Sequence, residues 1–120
     1  MADQAVPDAF AEGIRLFNEG EYFDCHETLE LLWMAEKGAV RELYQGIIQL
    51  AVALYHLKRG NEKGAGAVLS RAIEHLRPFL PAHLGIDVEA LLADAQRLQA
   101  GTAWSQEHER SSVQIRAATS

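Results

Sequence analysis

His26-Glu27-x-x-Glu30 is the cluster of this chain best suited to chemistry. At about 100° per residue, His26 and Glu30 stand almost above one another on a helix, with Glu27 on the adjoining side. An imidazole and two carboxylates so placed can hold a divalent metal ion, and one carboxylate can act on a metal-bound water. Phe23, Leu29 and Trp33 fall on the same broad face, so the cluster is expected to look into the core. Ionisable groups there are costly unless they are paired, hydrogen-bonded or metal-bound.

The next helix offers partners. Arg41, Gln45, Gln49, His56 and Arg59 fall within one arc of a segment that is otherwise apolar. If the two helices pack antiparallel, their polar stripes meet, as in bundles that build metal sites from inward carboxylates and histidines. The expected ligands are His26, Glu30 and His56, with Glu27 as catalytic base and Arg41, Gln45, Gln49, Arg59 and Trp33 lining the site. Glu30 stands where the zinc-protease pattern His-Glu-x-x-His has its second histidine, a donor set closer to iron or manganese than to tight zinc. The metal's identity and the substrate stay open. A competing reading needs no ion: Arg41 or Arg59 neutralises a glutamate, the glutamines satisfy leftover donors, and the cluster is a buried structural network.

Other reactive side chains point to packing. Cys25 and His26 are adjacent on a helix and so diverge by about 100°, which suits a buried inert thiol better than a nucleophile and base. Tyr44 and Tyr55 have core spacing, and His75 and His83 read as surface or loop histidines.

The elements that must position these groups are all helical. Pro7 to Glu19 forms a first amphipathic helix through Phe10, Ile14 and Phe17, closed by Gly20. Tyr22 to Glu36 follows, broken at Lys37-Gly38. Val40 to Arg59 is apolar on nearly every side, as expected of a central helix. After Gly60, Asn61 caps a fourth helix that ends at Pro78 and Pro81, and Asp87 caps a fifth that Gly101 stops. No segment alternates as a strand does. The chain thus reads as all-α, a compact bundle of about five antiparallel helices over 1–101. A poorly ordered tail is expected over 102–120, with Trp104 as its one anchor to the bundle.

Composition narrows the function. With 48% hydrophobic and 23% charged residues, the chain has a globular balance. A net charge of −6 disfavours phosphate backbones and anionic lipid, so neither nucleic acid nor membrane is an expected partner. No apolar stretch reaches the roughly 20 residues of a membrane span. The start, Met1-Ala2-Asp3-Gln4, has no secretory pattern, and one cysteine excludes an internal disulfide, so a cytoplasmic chain is expected.

Three blocks together carry a resemblance: Phe17-Asn18-x-Gly20-x-Tyr22-Phe23-x-x-His26-Glu27-x-x-Glu30-x-x-Trp33, then Tyr44-Gln45-Gly46-x-x-Gln49, then His56-x-x-Arg59-Gly60-Asn61-x-x-Gly64-Ala65. From Ala9 to Phe79 the sequence resembles the domain-of-unknown-function family 309. The resemblance implies an all-helical fold and a general label, predicted metal-dependent hydrolase, with no substrate established. His26, Glu27, Glu30, Trp33, Arg41, Gln45, Gln49 and His56 match positions of the family pattern.

Two function classes follow. One is a metal-dependent hydrolase of an unknown small-molecule substrate. The other is a non-enzymatic module of helical-repeat character, in which Gly20 and Gly60 each punctuate a helix pair. An apolar groove then takes a partner peptide, or spare apolar faces make a homodimer.

Overall fold

The computed structural model describes residues 6–101, 104–105 and 110–119. Five helices follow in order: α1 (Asp8–Asn18), α2 (Tyr22–Ala35), α3 (Arg41–Lys58), α4 (Glu62–Leu76) and α5 (Val88–Gln99). α1, α2 and α3 lie within a residue of their expected bounds, while α4 stops at Leu76, short of Pro78, and α5 at Gln99, short of Gly101. The compact all-α bundle is the fold that the three- and four-residue apolar spacing predicts.

The turns after α1 and α3 are closed by the same device. Gly20 and Gly60 have φ of 83° and 78°, a region that costs a residue with a Cβ and suits glycine. Each lets the chain reverse while the last carbonyls are satisfied, by Gly20 N–H to Phe17 O and Glu21 N–H to Leu16 O, and by Gly60 N–H to Leu57 O and Asn61 N–H to His56 O. Asn61 then caps α4 through its side chain, which accepts from Gly64 N–H at 3.0 Å. Asp87 caps α5 in the same way, accepting from Ala90 N–H at 2.9 Å.

α3 is the central element, packed against α2 on one side and α4 on the other. Leu43, Tyr44, Ile47, Leu50, Ala51, Ala53 and Leu54 are buried along it. Gly46 removes the side chain where α4 comes closest, since a Cβ there would lie 2.9 Å from Leu76 Cδ2. Gly13 does the same between α1 and α2.

Two features depart from the expected all-helical chain. A two-residue strand β1 (Ala82–His83) pairs antiparallel with β2 (Ile86–Asp87), and β3 (Trp104–Ser105) pairs with β4 (Arg110–Ser111). These are hairpins too short to show alternation in sequence. The segment 113–118, assigned from sequence to the tail, lies on the bundle, with Val113 fully buried and Ile115 nearly so. Asn18 at the end of α1 holds Ile115 from both sides, donating to its carbonyl at 2.9 Å and accepting from its N–H at 2.8 Å. Asp94 of α5 accepts from Gln114 N–H at 3.2 Å and from Arg116 Nη1 at 2.9 Å. Asp87 N–H and Ala118 N–H close the strap onto the β1–β2 hairpin through Arg116 O and Gly85 O. The expected anchoring role of the Trp104 side chain lies outside the described residues.

Candidate functional site

The face of α2 that enters the core is set by Tyr22, Cys25 and Leu29, all buried. His26 therefore lies on the flank of the helix and is half-buried, while Glu27 and Glu30 are exposed. This corrects the expectation of a core-facing cluster. Carboxylates without a matching cation are expensive to desolvate, and a neighbouring arc of Tyr, Cys and Leu could fill the core instead. A buried network through Glu27 and Glu30 is accordingly not formed; the buried charged side chain among the described residues is Asp94.

His26 Nε2 stands 3.4 Å from Glu30 Oε2, one turn along the helix. Beside His26 a groove of about 250 Å³ opens between α2 and α3, lined by Tyr22, Phe23, His26, Val52, Tyr55 and His56. Its walls are rings: Phe23 packs 5.8 Å from His26 and 5.7 Å from Tyr55, centroid to centroid. Arg59 lies beyond it, donating from Nη1 to Tyr55 Oη at 3.3 Å with its guanidinium 5.6 Å from that ring. His56 Nδ1 is 3.4 Å from Asn61 Nδ2, which ties the imidazole to the α3–α4 turn. The structure thus brings His26, Glu30, His56 and Arg59 to one end of the α2–α3 seam.

The remaining expected residues go elsewhere. Arg41 lies 3.8 Å over the Trp33 ring and donates from Nε to the Trp33 carbonyl at 3.1 Å, a stack that ties the end of α2 to the start of α3. Gln45 is half-buried on α3. Gln49 faces α4, where its Oε1 is 2.8 Å from His75 Nδ1. His75 Nδ1 is also 2.9 Å from the Arg71 carbonyl. Both contacts are acceptors, so Nδ1 carries the hydrogen, leaving Nε2 near Glu42 Oε1 at 3.7 Å. Sequence spacing alone places His75 on the surface; its partner on α3 is far along the chain, and no local pattern announces it.

A divalent metal needs several donors in one place. Among the described residues, no three of His, Cys, Asp and Glu form a group able to hold one. His26 and Glu30 supply two donors beside apolar walls, which does not fit a closed metal centre. Cys25 is equally unsuited to chemistry. It is fully buried, and burial pushes its thiol up to about 12, so the nucleophilic thiolate is absent at neutral pH. Burial, with Glu36 nearby, also raises the Tyr44 phenol above its ordinary value. A second cleft of about 350 Å³ lies between α4 and α5, against Leu57, Gly66, Leu69 and Leu98. No helix among the described residues is long and apolar enough to cross a membrane.

The model of the family described as domain of unknown function (DUF309) matches residues 10–68. Over these residues, just under half of its length, the chain is similar to this family. The DUF309 match takes in α1, α2, α3 and the first half of α4, and therefore every residue of the α2–α3 groove. The chain is also similar to the uncharacterized protein YpuF of Bacillus subtilis (strain 168), 43% identical over 75 residues, which are 60% of this chain and 43% of that protein. An uncharacterized protein of Aquifex aeolicus (strain VF5) is 31% identical over 58 residues, 48% of this chain and 17% of that protein. The chain spans less than half the length of these relatives.

Proposed function

We propose that this chain is a protein-binding module, and that the α2–α3 groove seats an aromatic or aliphatic side chain of its partner. One observation carries this reading. Phe23, at the lip of the groove, is 50% exposed, and Leu31 and Met34 on the same outer stripe of α2 are 70% and 66% exposed. A soluble surface rarely spends three large apolar side chains on one helical face without a covering partner. The groove is continuous with that stripe, which favours a polypeptide over a small enclosed ligand. His26 and His56 serve here as hydrogen-bonding edges of an otherwise apolar seat.

The hydrolase reading retains the His26–Glu30 pair beside His56 in its favour, with Glu27 as the base. Its donors do not group as a metal centre among the described residues.

A titration with indole, standing in for a partner's side chain, tests the binding reading. Amide shifts in the protein's NMR spectrum should concentrate on Phe23, His26, Val52, Tyr55 and His56, with a dissociation constant on the order of millimolar. Val52→Trp, which fills the groove with the protein's own ring, should abolish them, and Phe23→Ser should weaken them. Shifts centred on Leu57, Leu69 and Leu98, or unchanged by both substitutions, would refute it.

A further inference from the structure

The outer face of α2 has a charge as well as an apolar stripe. Asp24, Glu27 and Glu30 are exposed beside Phe23, Leu31 and Met34, and the helix contains no lysine or arginine. Its one basic side chain, His26, already stands against Glu30. On α1 the pattern differs, Arg15 meeting Glu12 at 2.6 Å and, just past the helix end, Glu19 at 2.8 Å; Glu74 of α4 is met at 3.4 Å by Arg77, just past that helix. The acidic groups of α2 are thus interleaved with exposed apolar anchors and have no cation on their own helix.

We infer that the partner of this face is a cationic amphipathic helix, lying along α2 with its apolar stripe on Phe23, Leu31 and Met34 and its lysines or arginines against Asp24, Glu27 and Glu30. The inference rests on the protein-binding reading and specifies its partner. Positions 23, 27, 30/31 and 34 recur at the three- and four-residue spacing by which one helix meets another. Apolar area supplies the affinity, and the carboxylates select the sign of the flanking charge.

A second copy of the chain fits less well. An antiparallel two-fold pairing of α2 about its midpoint sets Phe23 against the partner's Met34, but it also sets Glu27 against the partner's Glu30. Like charges at that distance oppose the pairing. Nucleic acid and anionic lipid are repelled by the same carboxylates.

Fluorescein-labelled model helices of about 18 residues test the inference by anisotropy: a Leu/Lys peptide, and Leu/Gln and Leu/Glu versions with the same apolar stripe. In about 0.05 M salt the Leu/Lys peptide should bind about tenfold more tightly than Leu/Gln, and Leu/Glu weakest. The preference should fall to within about threefold in about 0.5 M salt, where screening is short-ranged. Glu27→Gln/Glu30→Gln should lose the preference for lysine yet keep the Leu/Gln peptide. Phe23→Ser/Leu31→Ser/Met34→Ser, all at exposed positions and checked for helicity, should lose both.

Equal binding of Leu/Lys and Leu/Gln to the wild type would overturn the charge inference and leave the protein-binding reading standing. Lysine preference unchanged in Glu27→Gln/Glu30→Gln would place the cation elsewhere on the acidic surface and overturn it equally. Binding of none of the peptides would overturn both.

Discussion

Asp94→Ala should lower the free energy of unfolding by about 3 kcal/mol, measured by urea denaturation. The Asp94 side chain is 2% exposed and ion-paired to both Arg97 and Arg116. One oxygen is held by Arg97; the other takes Arg116 Nη1 at 2.9 Å and the Gln114 N–H at 3.2 Å. Loss of a fully buried ion-pair partner costs about 3–5 kcal/mol when it strands the opposite charge. Here both arginine side chains are about half exposed and can return to water, which places the cost at the lower end. The loss should be local first. Amide exchange at Ile115, held by Asn18, should accelerate before the helices open, because the strap over 113–118 loses its fastening on the α5 side. A stability change below about 0.5 kcal/mol would mean that the Asp94 fastening of the strap contributes nothing to the fold.

Gly13→Val should destabilise by about 3 kcal/mol, near the upper end of ordinary overpacking. A Cβ at Gly13 would lie 2.5 Å from Leu29 Cδ2 and 2.7 Å from Leu29 Cγ. Leu29 is fully buried and cannot swing into solvent, so α1 and α2 must separate. Two opposing effects decide the milder Gly13→Ala. Replacing glycine within a helix gains about 1 kcal/mol of intrinsic propensity, and the clash costs about 2, leaving a net loss of about 1. Gly66 supplies the control. It is exposed on α4 with nothing within 4 Å of a Cβ, so Gly66→Ala should raise stability by up to about 1 kcal/mol. Thermal unfolding of the three variants separates the signs, and stabilisation by Gly13→Ala would contradict the close α1–α2 approach.

The helices and their ends were legible because local chemistry sets them. Gly20 and Gly60 mark positive φ, Asn61 and Asp87 are caps, and the all-round apolar character of Val40 to Arg59 marks the central helix. The face of α2 was harder. Phe23, Leu29, Leu31, Leu32, Trp33 and Met34 surround the helix with apolar side chains, so periodicity alone does not choose which arc is buried. A signal was present in Asp24, Glu27 and Glu30, whose three-residue spacing marks a solvent arc opposite Cys25 and Leu29. The polar stripe of α3 divides for a similar reason: a helix packed on both sides sends Gln49 toward α4 and His56 toward α2. Long-range partners carried no local signature. Asn18 meets Ile115 and Asp94 meets Arg116 across the fold, and Val113 and Ile115 sit in a stretch too short and polar to read as core.

Where a bound ring lies decides whether the α2–α3 groove seats an apolar side chain. Intermolecular NOEs between indole protons and the Val52 methyl groups, with the Phe23 and Tyr55 ring protons as further contacts, are the expected result. NOEs to the methyl groups of Leu57, Leu69 and Leu98 instead would place the ring in the α4–α5 cleft and contradict it.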